Sequence, residues 1–269
     1  MKRSHNNIFI ALLALVAFSS CRDEVILNLN TVGAITVIES KISTDSVPFK
    51  VRVTTTADYY SLSIPIVTDA LVTISGSDGS LDTLFHDSAG YYYSKFVRYC
   101  KVGILYTLKV THNGKSYSAT EACPSQNPVD SVKAIYQPKN GFFPAGYYLW
   151  EYTTEKAGKG DCYYWELYQN DTMIFDDFYY TGDDQFLEDN GQQLASDFQY
   201  PFRLGDSIVF EQHAITRQFF NFLNAVQSQT NRDGSPFSAP PSNISGNLSN
   251  GALGYFTVRN TIRKKLVVK

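Results

Sequence analysis

Short stretches in which hydrophobic and polar residues alternate run through the chain from residue 34, and turn-forming residues separate them. Side chains of a strand point alternately to its two faces, so this pattern predicts half-buried β-strands. In the first half of the chain such stretches lie at residues 35–39, 49–54, 70–75, 90–96, 105–111 and 115–120. Asn113-Gly114 lies between the last two stretches and predicts a tight hairpin turn, because both residues accept the positive φ that this turn requires.

The regular spacing of these strands and turns predicts a β-sandwich at residues 34–123. Between residues 70 and 110, the patterns Ala-x-Val-x-Ile, Gly-Tyr-Tyr and Gly-x-x-Tyr-x-Leu follow one another and resemble Ig-like or transthyretin-like modules. Residues 124–129 contain two prolines, which cannot both fit a continuous central strand because proline donates no backbone hydrogen bond. This segment is therefore predicted to be a linker between two domains.

A second β-rich domain, at residues 130–269, is predicted from further strand patterns at 130–136, 147–153, 162–169, 173–180, 207–212 and 254–258. One helix is predicted near 216–229, where Phe219, Phe222, Leu223 and Val226 recur at helical spacing. Thr216 precedes them as a candidate N-cap. The predicted fold class is thus mainly β: an N-terminal Ig-like/transthyretin-like β-sandwich followed by a second β-rich domain that carries one helix.

Residues 1–20 have the pattern of a lipoprotein signal peptide: Lys2 and Arg3 precede an apolar run at 8–18, which ends at two serines and Cys21. The run is too short for a permanent membrane helix, which needs ~20 apolar residues. Small residues directly before a cysteine resemble a bacterial lipobox, after which the cysteine becomes the acylated N-terminus. Cys21 is therefore a predicted lipidation site, tied to the lipid bilayer by acyl chains such as palmitate. The alternative is an ordinary signal peptide that is cleaved near an incidental cysteine.

Arg22, Asp23 and Glu24 follow the candidate anchor directly. A basic residue followed by acidic residues resembles the export signal that sends Bacteroidetes lipoproteins to the outer face of the outer membrane. The alternative is a solvated tether, predicted at 21–33, whose charges keep it away from the lipid headgroups. The expected location is the outer membrane, with the protein lipid-anchored and facing the cell exterior.

The charge balance excludes one class of partner, and the aromatic residues indicate another. The chain has 23 Lys and Arg against 26 Asp and Glu, so nucleic acid is not an expected partner. Aromatic residues cluster on predicted strands at 59–60, 91–93, 147–150, 163–165 and 178–180. Neighbouring residues face opposite sides of a strand, so each cluster is expected to place one ring in the core and another outside, available to an interface or a sugar. The alternative for any single ring is core or edge packing.

Besides Cys21 the chain has Cys100, Cys123 and Cys162, an odd number for an oxidising compartment. Three pairings of these cysteines are possible. Cys100 and Cys123 flank two predicted strands whose ends can meet across a sheet, so this pair is the disulfide candidate. No closely spaced cysteine or histidine pair occurs, and no metal site is predicted.

The sequence carries no recognisable catalytic motif. His86, His112 and His213 lie outside known serine and cysteine hydrolase patterns, and Walker and dinucleotide-binding patterns are absent. We therefore predict no catalytic residue and no cofactor, although carboxylates brought together from distant strands, as in a glycosidase, stay open. The acidic segment at 176–189 does not have the spacing of an EF-hand and is predicted to be a solvated loop rather than a Ca²⁺ site.

Six stretches have Asp followed by Ser or Thr and then an aliphatic, small or Met residue, which resembles the acceptor pattern of O-glycosylation in the Bacteroidetes periplasm. The candidate acceptors are Ser46, Thr83, Ser88, Ser131, Thr172 and Ser207. The alternative is a turn that leads into a strand, in which the polar side chains bond the local backbone. We expect one or two of these sites to be modified and the others to be structural.

Several stretches in a fixed order resemble the DUF4249 family of Bacteroidetes outer-membrane lipoproteins. The most specific is PFSAPPSNISGN at 236–247, followed by Gly-Tyr-Phe at 254–256. Further matching stretches, spread over nearly the whole mature chain, lie at 38–39, 48–51, 70–74, 106–108, 129–132, 163–165 and 205–207. One departure is that the family often has a longer, Gly-rich segment where residues 168–189 stand here.

The resemblance implies an outer-membrane lipoprotein without established activity, commonly encoded beside a TonB-dependent, SusC-like transporter. We therefore expect a non-catalytic binding accessory to such a barrel in nutrient uptake, held near it by the anchor so that weak contacts suffice. One alternative is a structural or assembly component of the outer membrane. Another is a surface hydrolase.

Overall fold

Strands dominate the chain. A computed structural model describes residues 33–58, 61–141, 143–154, 158, 160–174, 180–184, 190–194, 201–230 and 244–269. The strands in these residues are β1 Thr36–Ser43, β2 Val47–Thr55, β3 Leu71–Gly76, β4 Leu81–His86, β5 Tyr91–Arg98, β6 Leu105–His112, β7 Lys115–Ala122, β8 Val129–Gln137, β9 Gly146–Thr154, β10 Cys162–Gln169, β11 Thr172–Met173, β12 Tyr180–Asp183, β13 Asn190–Leu194, β14 Ser207–Ile215 and β15 Leu253–Val267. The helix α1 is Arg217–Thr230. The predicted fold class, mainly β with one helix in the second part, is confirmed.

Most predicted strands are present within a few residues of their expected bounds. Asn113 and Gly114 have φ of 49° and 71° and close the β6–β7 hairpin as predicted. The strand predicted at 173–180 is not continuous, because β11 ends at Met173 and Ile174 lies outside any strand; residues 175–179 lie outside the described part. Strand β4 has no counterpart among the predictions, since its apolar residues at 81, 84 and 85 do not alternate.

One sheet runs through both halves of the chain. Its strand order is β11-β10-β14-β15-β1-β2-β5-β4-β3-β6-β7, and β12 also pairs with β10. A smaller sheet has the order β13-β9-β8. Among the described strands, β1 and β15 form a parallel pair, whereas the other pairs are antiparallel.

Strand β15 joins the two halves of the large sheet. Residues 253–259 pair with residues 37–43 of β1, and residues 260–267 pair with β14. Each half of this strand therefore has a different partner, and strands from the beginning and the end of the chain lie side by side.

Buried hydrophobic residues form three clusters in the described residues. The largest draws its side chains from β1–β7 and the start of β15, and includes Ile38 and Phe256. The second lies between the small sheet and β10 and β14, and includes Leu149 and Phe210. The third lies under α1 around Phe219. The first two clusters agree with a fold in two parts.

Residues 34–269 nevertheless form one compact unit, and the division of the chain falls at Gly33. The segment predicted as a linker, 124–129, leads from β7 into the first residue of β8, and Gln126, Asn127 and Val129 in it are buried. Its Asn127 amide donates to the Tyr163 hydroxyl at 2.7 Å, and its Gln126 side chain accepts from the Ala214 N–H at 3.3 Å. Whether the halves at 34–123 and 130–269 fold independently stays a prediction. The predicted signal peptide and tether, 1–33, lie outside the described residues except for Gly33.

Thr216 caps helix α1 as predicted. Its hydroxyl accepts the Phe219 N–H at 3.2 Å, which satisfies one of the free donors in the first turn. Phe219 and Leu223 are buried against Tyr255 of β15 and residues of β10. Among the described residues, no helix combines the length and the apolar character that crossing a bilayer requires.

Gly254 lies where β15 meets β1, and the structure leaves no room there for a side chain. Its φ is +95°, and a Cβ at this position would overlap the carbonyl oxygen of Ile38. Gly251 also has a positive φ, +72°, but a Cβ there would meet no atom of the described residues within 4 Å. Alanine substitutions at the two glycines therefore distinguish the cost of a positive φ from the cost of the close approach between β1 and β15.

We expect Gly254→Ala to lower the free energy of unfolding by more than about 3 kcal/mol, because the added methyl group must push β1 and β15 apart. Gly251→Ala should cost only the ~1 kcal/mol that alanine loses at positive φ. Denaturant unfolding followed by circular dichroism measures both changes. Equal losses in the two variants would show that strand approach at Gly254 does not matter.

Candidate functional site

A cleft opens at one end of the N-terminal β-sandwich, where β4 begins and β5 ends. Its volume is about 340 Å³, which lies within the range of small-molecule sites. The buried side chains of Phe49, Ile74 and Tyr106 form its floor. The rings of Phe49 and Tyr106 meet edge to face with their centroids 6.4 Å apart. The floor is therefore apolar and held in place by the core.

An apolar rim, defined by Leu81, Val97 and Tyr99, surrounds the opening of the cleft. These side chains are 68%, 54% and 57% exposed. Single exposed apolar residues are common on protein surfaces, but a group of them around a cleft indicates a contact surface. Tyrosine adds a hydroxyl to a large apolar ring, and this residue type is enriched where interfaces are strongest.

Two ion pairs line the wall of the cleft. Arg98 Nε lies 2.7 Å from Asp82 Oδ2, and Lys101 Nζ lies 3.0 Å from Asp78 Oδ2. Hydrogen bonds from Ser80 and Lys101 hold the pKa of Asp78 down, at about 2. The two acidic and two basic groups balance, so the cleft favours a neutral ligand or the uncharged side chains of a partner.

A second polar site is buried in the other half of the chain, on the sheet face that α1 partly covers. Glu166 of β10 lies opposite Glu211 of β14 in the register, and His213 follows on the same face of β14. The exposed fractions of these three residues are 7%, 7% and 0%. His213 Nε2 lies 3.6 Å from Oε2 of Glu166 and 3.6 Å from Oε2 of Glu211. We call these three residues the Glu-Glu-His cluster.

Side chains of β15 contact all three residues of the Glu-Glu-His cluster. Arg259 Nη1 lies 3.2 Å from Oε1 of Glu166, and Arg263 Nε lies 2.6 Å from Oε1 of Glu211. The Thr261 hydroxyl lies 2.9 Å from His213 Nδ1. Each carboxylate is therefore bound through Oε1 by an arginine, while its Oε2 faces the imidazole.

Burial determines the protonation of His213. Removal from water lowers its pKa to about 4, and the positive charges of Arg259 and Lys41 act in the same direction. Burial alone would raise the pKa of Glu166, but the neighbouring His213 and Arg259 outweigh it and hold this pKa well below its ordinary value. At neutral pH the cluster therefore presents an ionised Glu166 and a neutral imidazole.

The Glu-Glu-His cluster has the geometry of a metal site. One ligand atom from each residue lies within 4.8 Å of the other two. The sequence predicts no metal site because it has no closely spaced cysteines or histidines, whereas the ligands of this cluster come from two strands. The available signal is Glu211-x-His213, a spacing that places both side chains on one face of a strand, but the predicted strand 207–212 ends before His213.

A third site contains Glu121 of β7, which is buried and only 4% exposed. Its carboxylate accepts hydrogen bonds from the Thr216 hydroxyl and, at 2.9 Å, from the Asn247 amide. Asn247 in turn bonds both backbone groups of Phe256, at 2.8 and 3.0 Å. Glu121 thus links β7 to the start of α1 and, through Asn247, to β15. Asn247 is the last residue of the PFSAPPSNISGN stretch, so one role of that stretch is structural.

Of the predicted site residues, the lipidation site Cys21 and the export residues Arg22, Asp23 and Glu24 lie outside the described part of the chain. Among the O-glycosylation candidates, Ser46, Ser88, Thr172 and Ser207 are exposed, whereas Thr83 and Ser131 are partly buried in β4 and β8. The Asp that precedes Ser207 accepts the Arg203 N–H at 2.7 Å, as expected for a turn. Modification at any of the six sites stays a prediction.

Cys100, Cys123 and Cys162 are free and buried in the structure. Burial raises the pKa of each thiol, to about 11 for Cys123 and Cys162. The predicted Cys100–Cys123 bond is not formed here, although both residues belong to the same hydrophobic cluster and the charge of one affects the pKa of the other. Oxidation of this pair stays a prediction, and counting free thiols in the denatured, unreduced protein tests it.

The aromatic clusters follow the expected alternation only in part. Tyr92 is 1% exposed between the half-buried Tyr91 and Tyr93, as predicted. Tyr163 and Tyr164 are both buried and Trp165 is partly buried, so neighbouring rings of this cluster do not alternate between the core and the surface. The reason is that β10 is covered on both faces, by residues of α1 on one side and by the small sheet on the other.

The acidic segment is also less solvated than predicted where the structure describes it. Asp183 pairs with Arg217 at 2.6 Å, and the fully buried Asp184 accepts the Gly160 N–H at 2.8 and 3.0 Å. The remaining acidic residues of this segment, at 176, 177, 188 and 189, lie outside the described residues.

Burial raises the pKa of Glu121 from about 4.5 to about 7, against the opposing effect of its hydrogen-bond donors. An acid with a raised pKa in the folded state stabilises the protein fully below its unfolded pKa, and this contribution is lost as the pH rises through 7. His213 has the opposite dependence, since its lowered pKa makes the protein lose stability as the pH falls from about 6.5 towards 4.

Between pH 5 and pH 8, we therefore expect the free energy of unfolding of wild type to fall by about 3 kcal/mol more than that of Glu121→Gln. Because both proteins contain His213, its contribution cancels when the two free energies are subtracted. Urea unfolding at several pH values provides the measurement. Glu39→Gln, a change at an exposed carboxylate of β1, is the control and should follow wild type. A constant difference across this range would contradict the assigned role of Glu121.

The sequence of the chain matches a known protein family. Residues 22–265 match the family model described as "Domain of unknown function (DUF4249)". Comparison with curated proteins gives no match. The family match begins directly after Cys21 and extends into β15, so it includes the cleft, the Glu-Glu-His cluster and Glu121. The chain therefore belongs to the DUF4249 family.

Proposed function

We propose that this protein is a surface-exposed, lipid-anchored outer-membrane protein that acts by binding, without catalysis, as an accessory to a TonB-dependent, SusC-like barrel in nutrient uptake. The observation that carries the proposal is the cleft between β4 and β5, with its buried floor and its apolar rim. The lipobox-like residues before Cys21 and the charged residues after it support the location.

The composition of the cleft favours binding through apolar contact. The rim offers two aliphatic side chains and the ring of Tyr99 to a partner, and all three are more than half exposed. Burying such residues is what stabilises small interfaces, whereas the surrounding polar contacts mainly exclude water. The ion pairs of Asp82 and Asp78 are already satisfied within the protein, so an uncharged partner can occupy the cleft without breaking them.

The anchor makes weak binding sufficient. A protein and a barrel held in the same membrane meet at a high effective concentration, so that a contact of modest affinity is occupied most of the time. A cleft of about 340 Å³ with three rim residues is of the right size for such a contact, either with one loop of the barrel or with a small neutral nutrient.

The test is affinity purification of the tagged full-length protein from outer membranes in mild detergent, followed by mass spectrometry of the proteins that co-elute. The cleft variant is Leu81→Ser with Tyr99→Ser. Its matched control is Leu204→Ser with Tyr136→Ser, because these residues are 65% and 54% exposed, against 68% and 57% in the cleft pair, and lie outside the cleft.

Wild type and the matched control should retain a stoichiometric TonB-dependent barrel. The cleft variant should retain about tenfold less of the barrel, because the loss of a central anchor residue weakens binding by about 1–2 kcal/mol. Cys21→Ala should abolish membrane retention and with it the complex. Equal recovery of the barrel by both double variants would place the contact elsewhere, and the absence of any barrel from correctly localised wild type would overturn the accessory role.

A further inference from the structure

We propose that the Glu-Glu-His cluster is a zinc site in which Glu166, Glu211 and His213 are the ligands. This inference concerns the second half of the chain and does not depend on the function proposed for the cleft. Its basis is a buried imidazole nitrogen that points between two carboxylate oxygens.

Among the residues that the structure describes, none is a hydrogen-bond partner of His213 Nε2, although this side chain is completely buried. The carboxylate oxygens nearest to it, one from each glutamate, are 3.6 Å away, beyond the length of a hydrogen bond. An unsatisfied buried polar atom is costly, and in natural proteins it usually has a specific reason. A cation between the three atoms would satisfy this nitrogen and would bind one oxygen of each glutamate.

The distances fit a small, tetrahedral ion. Zinc binds imidazole nitrogen and carboxylate oxygen at about 2.0–2.2 Å, which places neighbouring ligand atoms about 3.3–3.6 Å apart in a tetrahedron. The two nitrogen–oxygen distances of 3.6 Å already have this value. All three ligand atoms lie within 4.8 Å of one another, so binding requires a shift of about 1 Å at most by the carboxylates. Calcium needs 6 to 8 oxygen ligands, and three ligands that include an imidazole fit zinc better.

The surroundings orient the ligands as in known metal sites. A metal-bound histidine bonds a second group through its other ring nitrogen, and here the Thr261 hydroxyl lies 2.9 Å from Nδ1. The arginines bind Oε1 of each glutamate and leave Oε2 directed at the imidazole. The Tyr168 hydroxyl donates to Oε2 of Glu166 at 2.9 Å and steadies that oxygen further.

The charge of the arginines sets the expected strength of binding. Arg259, Arg263 and the nearby Lys41 already offset the two carboxylates, so zinc adds positive charge to a region that has no excess of negative charge. Asp45, which lies 3.3 Å from Arg263, offsets part of this charge. We therefore expect micromolar affinity, with a water molecule as the fourth ligand.

The experiment is titration of the full-length chain, purified in detergent with a tag free of histidine and stripped with a chelator, with Zn²⁺ alone in a calorimeter. A parallel titration with Co²⁺ records the visible absorption that tetrahedral cobalt produces. Wild type should bind one equivalent of either ion and should unfold at a higher temperature with Zn²⁺ than without it.

Glu211→Gln and His213→Gln should weaken binding by at least about 100-fold, because each removes a ligand. Thr261→Val keeps all three ligands and should weaken it about tenfold. His112→Gln, at a histidine outside the cluster, is the matched control and should bind as wild type does. If His213→Gln fails to fold, as judged by circular dichroism, the Glu211 and Thr261 variants decide the question. Absence of saturable binding to wild type, or binding that is lost in His112→Gln and kept in Glu211→Gln, would overturn the site.

Discussion

The pairing of β15 with two different strands is the constraint on which the rest of the structure depends. This strand of 15 residues lies beside β1 over its first part and beside β14 over its second part. Without it the large sheet would fall into two sheets, one for each half of the chain. The parallel pair β1–β15 joins residues from opposite ends of the described chain, so its formation must overcome the entropy of closing a very long loop.

Three buried carboxylates, those of Glu121, Glu166 and Glu211, lie close to β15. Arg259 and Arg263 lie on either side of the point at which β15 changes partner, and they bind a glutamate of β10 and of β14, respectively. Glu121 reaches β15 through Asn247 on its other side. Buried ion pairs contribute little net stability, because removing charges from water offsets most of their attraction. Their directional bonds do oppose a shift of β15 by one residue, which would bring every arginine to the wrong face of the sheet.

Much of the fold was predictable from local pattern, and the remainder depends on contacts between distant residues. The β6–β7 hairpin and the cap of α1 were predictable because Asn-Gly and Thr216 act within a few residues of themselves. The length of β15 was not, because its second half has three consecutive basic residues at 263–265 instead of an alternating pattern and is stabilised by pairing with β14. The cleft and the Glu-Glu-His cluster were also not predictable from local pattern. Both join residues from separate strands, and a single sequence without the register does not place them together.

The position of β15 also governs when the chain can fold. Because β15 lies between β1 and β14 in the sheet but follows both in the chain, these two strands have no shared neighbour until β15 has been synthesised. Until then, the exposed edges of β1 and β14 are accessible to chaperones and can pair with strands of other chains. The pairing of β15 completes the sheet, and the same step brings Arg259 and Arg263 to their buried glutamates.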